Sequence, residues 1–155
     1  MADYHFVTRW SFKAPIDRVW GFLADAERWP TWWRFVAKVE VLEPGDETGV
    51  GRVLRMTWRT RLPYSLSFVI RSVRVDPPEY MEGKAEGELV GEGIWRLRQV
   101  GDVTDVRYDW IVSTTKAWMN FLAPIARPLF AWNHEGVMKA GEEALRRLVE
   151  NEPKS

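Results

Sequence analysis

The chain has no cysteine, only two histidines and no net charge, and each shortage removes a class of function. Without cysteine there is no disulfide, no thiolate metal site and no thiol nucleophile. His5 and His134 stand alone, with no His/Asp/Glu spacing of the kind that holds a metal. Lys and Arg number 22 and so do Asp and Glu. Nucleic acid and acidic membranes are bound through clustered positive charge, so no nucleic-acid partner is expected. No apolar run approaches the roughly 18 residues of a transmembrane segment. The start, Met1-Ala2-Asp3-Tyr4-His5, lacks the basic flank and apolar stretch of a signal peptide. A cytoplasmic location is therefore expected. There is no Gly-x-Ser-x-Gly, and the glycines between Gly45 and Gly51 lack the Lys-Ser/Thr of a phosphate loop. No cofactor is expected.

What the chain does have is tryptophan, 10 in 155 residues. A length of this order makes one domain, expected over 1–150 with a frayed tail at 151–155. Each aromatic side chain buries about 150–250 Å² and is particular about shape. Ten indoles exceed what a small core ordinarily uses, so either several are exposed or they line a hollow.

Alternation places the strands. His5–Lys13 sets Phe6, Thr8, Trp10 and Phe12 on one face. Pro15 suits the first turn of a helix, and Asp25 can cap a second, short one holding Trp29-Pro-Thr-Trp-Trp33. Val36–Glu43 reads as a strand. Five longer strands follow, over 51–62, 64–75, 79–87, 92–100 and 103–115. Gly101-Asp102 forms a two-residue hairpin turn. One face of these strands carries Leu54, Met56, Trp58, Tyr64, Leu66, Phe68, Trp95, Tyr108 and Trp110. The other carries the charges, among them Glu82, Lys84, Arg98, Asp105 and Asp109, expected as solvated cross-strand pairs. The segment 116–127 reads as a short helix interrupted by Pro124 and Pro128. From Leu129 to Val149 the steps of three and four describe a long amphipathic helix. Strands in a run with helices at the ends make an α+β domain.

Trp10-Ser-Phe-Lys-Ala-Pro-Ile-Asp-Arg-Val-Trp20 and Arg28-Trp-Pro-Thr-Trp-Trp33 resemble the opening of the polyketide cyclase/dehydrase and lipid-transport family, within the START-like, Bet v 1-like (SRPBCC) helix-grip superfamily. Gly87–Trp95, Tyr108-Asp-Trp110 and Pro128–His134 resemble it too. The resemblance implies a helix-grip fold: a curved antiparallel sheet of six to seven strands wrapped around the long C-terminal helix, with two short helices after the first strand. It also implies an apolar cavity between sheet and helix. Cyclases, hydrolases and lipid carriers share this scaffold, so fold alone does not decide function.

The expected activity is binding of a hydrophobic small molecule, lipid-like or aromatic and polyketide-like, with no protein partner specified. A cyclase/dehydrase-type enzyme in the same cavity and a protein-interaction module are the alternatives. The expected ligand-binding residues are Trp58, Phe68, Ala85, Gly93, Trp95, Tyr108, Trp110, Asn133 and His134. Large rings would face the small residues Gly83, Ala85, Gly87, Gly91 and Gly93, leaving a hollow or a place where the helix docks. Putting Ala85 and Trp95 on one face requires an odd loop or a bulge between their strands. Asn133 and His134 either orient a ligand or satisfy backbone groups near the prolines. Gly141 is expected to let the helix approach a strand. The Trp29–Trp33 cluster plugs the core or caps a cavity mouth, and Trp118, Phe121 and Leu122 form a portal flap or core. Tyr64 and Arg52 complete the inward polar candidates, and no catalytic residue is identifiable.

Overall fold

The computed structural model describes residues 3–114, 117, 121 and 123–150. The tail at 151–155, and Trp118 and Leu122 of the suggested flap, lie outside them. β1 (Asp3–Phe12) is followed by α1 (Ile16–Ala24) and a 3-10 helix (Ala26–Thr31). β2 (Val36–Glu43), β3 (Val53–Arg59), β4 (Ser65–Asp76), β5 (Tyr80–Gly87), β6 (Leu89–Val100) and β7 (Val103–Thr114) run consecutively, and α2 (Ala123–Glu150) closes the fold. The seven strands make one antiparallel sheet in the order β1-β7-β6-β5-β4-β3-β2. This is the α+β helix-grip arrangement.

The alternation of the strands decides which face is dry. Leu54, Met56, Phe68, Trp95 and Trp110 are buried, whereas Arg55 and Arg71 on the opposite face are exposed. Asp109 departs from the solvated ladder expected of that outer face. It is only 5% exposed, because Arg96 at 2.8 Å and Arg107 at 3.1 Å fold over its carboxylate. Those hydrogen bonds hold its pKa below the ordinary aspartate value although burial pushes the other way.

β5 and β6 pair Ala85 with Gly91, Gly83 with Gly93 and Met81 with Trp95. Five residues, 86–90, turn the corner, and an odd number keeps Ala85 and Trp95 on one face. Gly91 is obligatory there. A Cβ on it would sit against the Ile111 carbonyl and 2.8 Å from Val112 Cα on β7, and its φ is +154°.

The prolines do not divide the last helix. α2 is continuous from Ala123 over 28 residues, with Pro128 inside it. Pro128 falls near the start, where the ring removes one backbone hydrogen bond and leaves the rest of the helix intact. At 1.5 Å per residue α2 is about 40 Å long, and both its ends are tied to β1. Arg127 donates to the Asp3 carbonyl at 2.7 Å, and Arg146 donates to that of Ser11 at 2.8 Å. Glu150 accepts from the Lys13 amide at 3.0 Å. The helix thus crosses the dry face with a fixed heading.

Candidate functional site

Between α2 and the sheet lies a cavity of about 110 Å³. Its floor is Trp58 of β3, Leu66 and Phe68 of β4, and Tyr108, Trp110 and Val112 of β7. Phe130, Asn133, His134, Val137 and Met138 of α2 form the roof. Tyr4 and Phe6 close one side, and Thr60 and Tyr64 of the β3–β4 connection the other. The wall is aromatic and aliphatic, with Arg59 its one charged member among the described residues. An engineered void of about 150 Å³ with apolar walls takes up benzene, so this volume suits a single ring.

A cluster of indoles bounds the cavity on the side of α1. The Trp33 ring lies 4.9 Å from Trp58, 5.2 Å from Trp29 and 5.6 Å from Trp10, and Trp95 lies 5.4 Å from Trp10. These rings fill the core where the 3-10 helix crosses the sheet. Gly141 serves that packing: the Trp33 ring occupies the place a Cβ would take, so Gly141 accommodates an indole, not a strand.

The expected site residues fall into two groups. Trp58, Phe68, Tyr108, Trp110, Asn133 and His134 border the cavity. Gly93, Trp95 and Ala85 do not, although Gly93 and Trp95 border a second, smaller void farther along the sheet. Gly93 is covered: a Cβ there would be 2.7 Å from the Tyr108 hydroxyl and 3.1 Å from the Trp110 ring. Trp95 is stacked on Tyr108 at 4.1 Å, and Ala85 is buried away from the void, against its β4 neighbour Ile70. Gly93 makes room for rings of the protein itself, whereas Gly83 makes room for the Ile70 side chain. The cavity sits beyond those rings, towards the start of α2.

Apart from Arg59, the polar groups of the cavity are uncharged at neutral pH. His134 stacks on Phe6 with ring centres 4.4 Å apart, and burial lowers its pKa to about 4. Burial raises the pKa of Tyr108, and of Tyr64 and Tyr4 with it, so all three phenols keep their protons. Among the described residues two buried donors on the wall have no acceptor, the Tyr4 hydroxyl and Trp58 Nε1. Asn133 is committed: its Oδ1 accepts from the Arg61 amide at 2.6 Å, tying the β3–β4 connection to α2 instead of serving the proline segment. The Arg61 guanidinium lies 3.4 Å over the exposed Trp132 ring, in space left by Gly136. Arg59 turns its guanidinium outward to the Arg34 carbonyl, at 2.9 Å. Among the described residues no group of three His, Asp or Glu could hold a metal ion.

Tyr4, Phe6, Thr60 and Val112 border the cavity without having been expected to. For Tyr4 the signal was present. Extending the Phe6–Trp10–Phe12 alternation back two residues reaches it, but a strand begun at His5 leaves it out.

Residues 4–150 match the family described as polyketide cyclase / dehydrase and lipid transport. The chain belongs to that family. Solved structures with its fold include the di-domain aromatase/cyclase BexL of the BE-7585A biosynthetic pathway, 19% identical with a TM-score of 0.79. That match covers 97% of this chain and 51% of BexL, so the chain spans about half of the di-domain protein. The aromatase/cyclase ZhuI from Streptomyces sp. R1128 is 21% identical with a TM-score of 0.78, covering 96% of this chain and 94% of ZhuI. A START superfamily protein from Mycobacterium smegmatis is 16% identical with a TM-score of 0.75, covering 94% of this chain and 97% of that one. No curated protein sequence matches the chain. Among the described residues no helix is long and apolar enough to cross a membrane.

Proposed function

We propose that this family member binds an aromatic small molecule carrying a carbonyl or hydroxyl oxygen, held between the sheet and α2. One observation carries the reading: an aromatic-walled void of about 110 Å³ whose wall holds two buried donors without acceptors among the described residues, Tyr4 Oη and Trp58 Nε1. Buried donors are nearly always satisfied, and a ligand oxygen is the acceptor this wall lacks. The rings supply the rest of the affinity through burial of apolar area.

A cyclase-type reaction in the same cavity is the second reading, favoured by the family and by the phenols of Tyr4, Tyr64 and Tyr108. Phenols of raised pKa are poor proton donors, but as hydrogen-bond donors they stabilise a developing enolate. Among the described residues no carboxylate or charged histidine lines the cavity to serve as general base, so binding is the stronger reading.

The test is a titration with acetophenone followed by tryptophan emission, beside the variant Val112→Phe. The wild type should be quenched saturably, and the variant, whose added ring occupies the cavity, should not. Equal responses from both proteins would place the binding elsewhere.

A further inference from the structure

A second void, of about 50 Å³, lies farther along the same strands. On β3, Trp58 borders the larger cavity, while Met56 and Leu54, two and four residues earlier, border the smaller. β4 repeats the order, with Phe68 on the larger and Ile70 and Ser72 on the smaller. Tyr108 of β7 borders both. The voids are consecutive compartments of one trough along the dry face, and the Tyr108 side chain stands between them.

The small compartment differs in chemistry. Arg52 reaches it from the start of β3. Among the described residues the one hydrogen bond of its side chain runs from Nη1 to the Ala24 carbonyl, at 3.1 Å, and its Nε is buried without an acceptor. Two of the nearby carboxylates have closer partners of their own. Asp25 pairs with Arg28 at 3.3 Å. Glu82, on the same wall, accepts from the Tyr80 hydroxyl at 2.6 Å and faces Lys84 at 3.8 Å. Burial lowers the pKa of the Arg52 guanidinium, and Glu27 and Asp25 offset part of that through space. A partly buried cation with a spare donor therefore borders a void about the size of one small polar group.

We propose that this compartment is a carboxylate subsite, and that the ligand is an ω-aryl alkanoate whose ring carries a hydroxyl or carbonyl oxygen. Its ring fills the larger cavity, its chain passes a displaced Tyr108, and its carboxylate meets Arg52. The proposal rests on the ligand-binding reading above and names the ligand class. A guanidinium presents its donors as a fork that matches a carboxylate, and such charge-assisted bonds are the strong ones. The length agrees: four residues of strand from Trp58 to Leu54 span about 13 Å, enough for a phenyl ring, a chain of a few carbons and a carboxylate.

The experiment titrates the full chain with 5-(4-hydroxyphenyl)pentanoic acid, its methyl ester and neutral acetophenone, following tryptophan emission at pH 7. In the wild type the acid should bind at least tenfold tighter than the ester. Arg52→Gln should bring acid and ester within twofold of each other while leaving acetophenone affinity unchanged. Should Arg52→Gln fail to fold, Arg52→Lys, which keeps the charge without the fork, should reduce the preference severalfold. Acid and ester binding alike in the wild type, beside normal acetophenone binding, would show that the compartment holds only water and overturn the subsite alone. An acid preference unaltered in the Arg52 variants would do the same. If none of the three compounds binds, the ligand-binding reading falls and the subsite with it.

Discussion

Trp33 Nε1 donates a 2.9 Å hydrogen bond to the main-chain carbonyl of Val137, joining residues 104 positions apart. The indole is fully buried, and its Nε1, Cε2 and Cζ2 atoms lie against the helix at Gly141. It fixes how far α2 stands from the sheet at the inner end of the cavity. The volume of the cavity therefore depends on a residue that does not border it.

Gly141→Ala tests this directly. Alanine in an ordinary helix position gains about 1 kcal/mol over glycine. Here the new Cβ would overlap the Trp33 ring, which has no free space to enter. Overpacking of this kind costs about 1–3 kcal/mol, so the variant should be less stable despite its better helix propensity. Gly21→Ala in α1 is the control, since nothing lies within 4 Å of its Cβ position. It should gain about 0.5–1 kcal/mol. Urea denaturation of both variants decides, and a stabilised Gly141→Ala would refute the close packing of Trp33.

Ala85→Leu separates a filled core from a hollow. Ala85 is 2% exposed, faces Gly91 across β6 and borders neither void. The added atoms have nowhere to go, and the expected loss is again about 1–3 kcal/mol. A neutral or stabilised variant would mean that the trough extends beneath the β5–β6 corner.

The outer face offers a contrast between ion pairs. Arg98 and Asp105 stand 4.0 Å apart, with side chains 79% and 48% exposed. Replacing either by Ala should change stability by less than about 1 kcal/mol, as exposed pairs do. Asp109→Ala should cost about 1–3 kcal/mol, because it removes a buried acceptor from Arg96 and Arg107. Thermal unfolding of the three single variants gives the ranking. Equal effects would show that Asp109 is no more structural than its neighbours.

Much of this arrangement was legible in the order of residues, and the exceptions have physical causes. Period-two alternation identified the dry face of every long strand, because an error of one residue would bury the arginines. It did not find the partners of the glycines, since a missing side chain says nothing of what fills its place. Gly93 lies beneath Tyr108 and Trp110, Gly136 beneath Arg61 and Gly141 beneath Trp33. Each is a tertiary contact between distant segments. Asn133 and His134 stood out as polar residues at an apolar border, but their roles depend on what meets them, the Arg61 amide and the Phe6 ring. Pro128 pointed to a break that does not occur, because its cost falls on one hydrogen bond near the end of a helix anchored along its length.

His134 makes the pH dependence of stability testable. Its pKa falls from the ordinary histidine value to about 4 on folding, because burial beside Phe6 disfavours the charged ring. The unfolded chain therefore binds a proton more readily than the folded one, and stability must rise with pH through this range. The contribution is complete above pH 6.5 and is lost as the pH falls from there to about 4. At about 1.4 kcal/mol per unit, the whole shift corresponds to at most about 3–4 kcal/mol. His134→Phe keeps a ring against Phe6 and removes the titration. Urea unfolding of both proteins from pH 7.5 to 4.5 isolates the effect, since the carboxylates are common to both. The stability difference should move in favour of His134→Phe as the solution is acidified. Parallel curves for the two proteins would mean that His134 is solvated in the folded state and that the cavity roof is open to water.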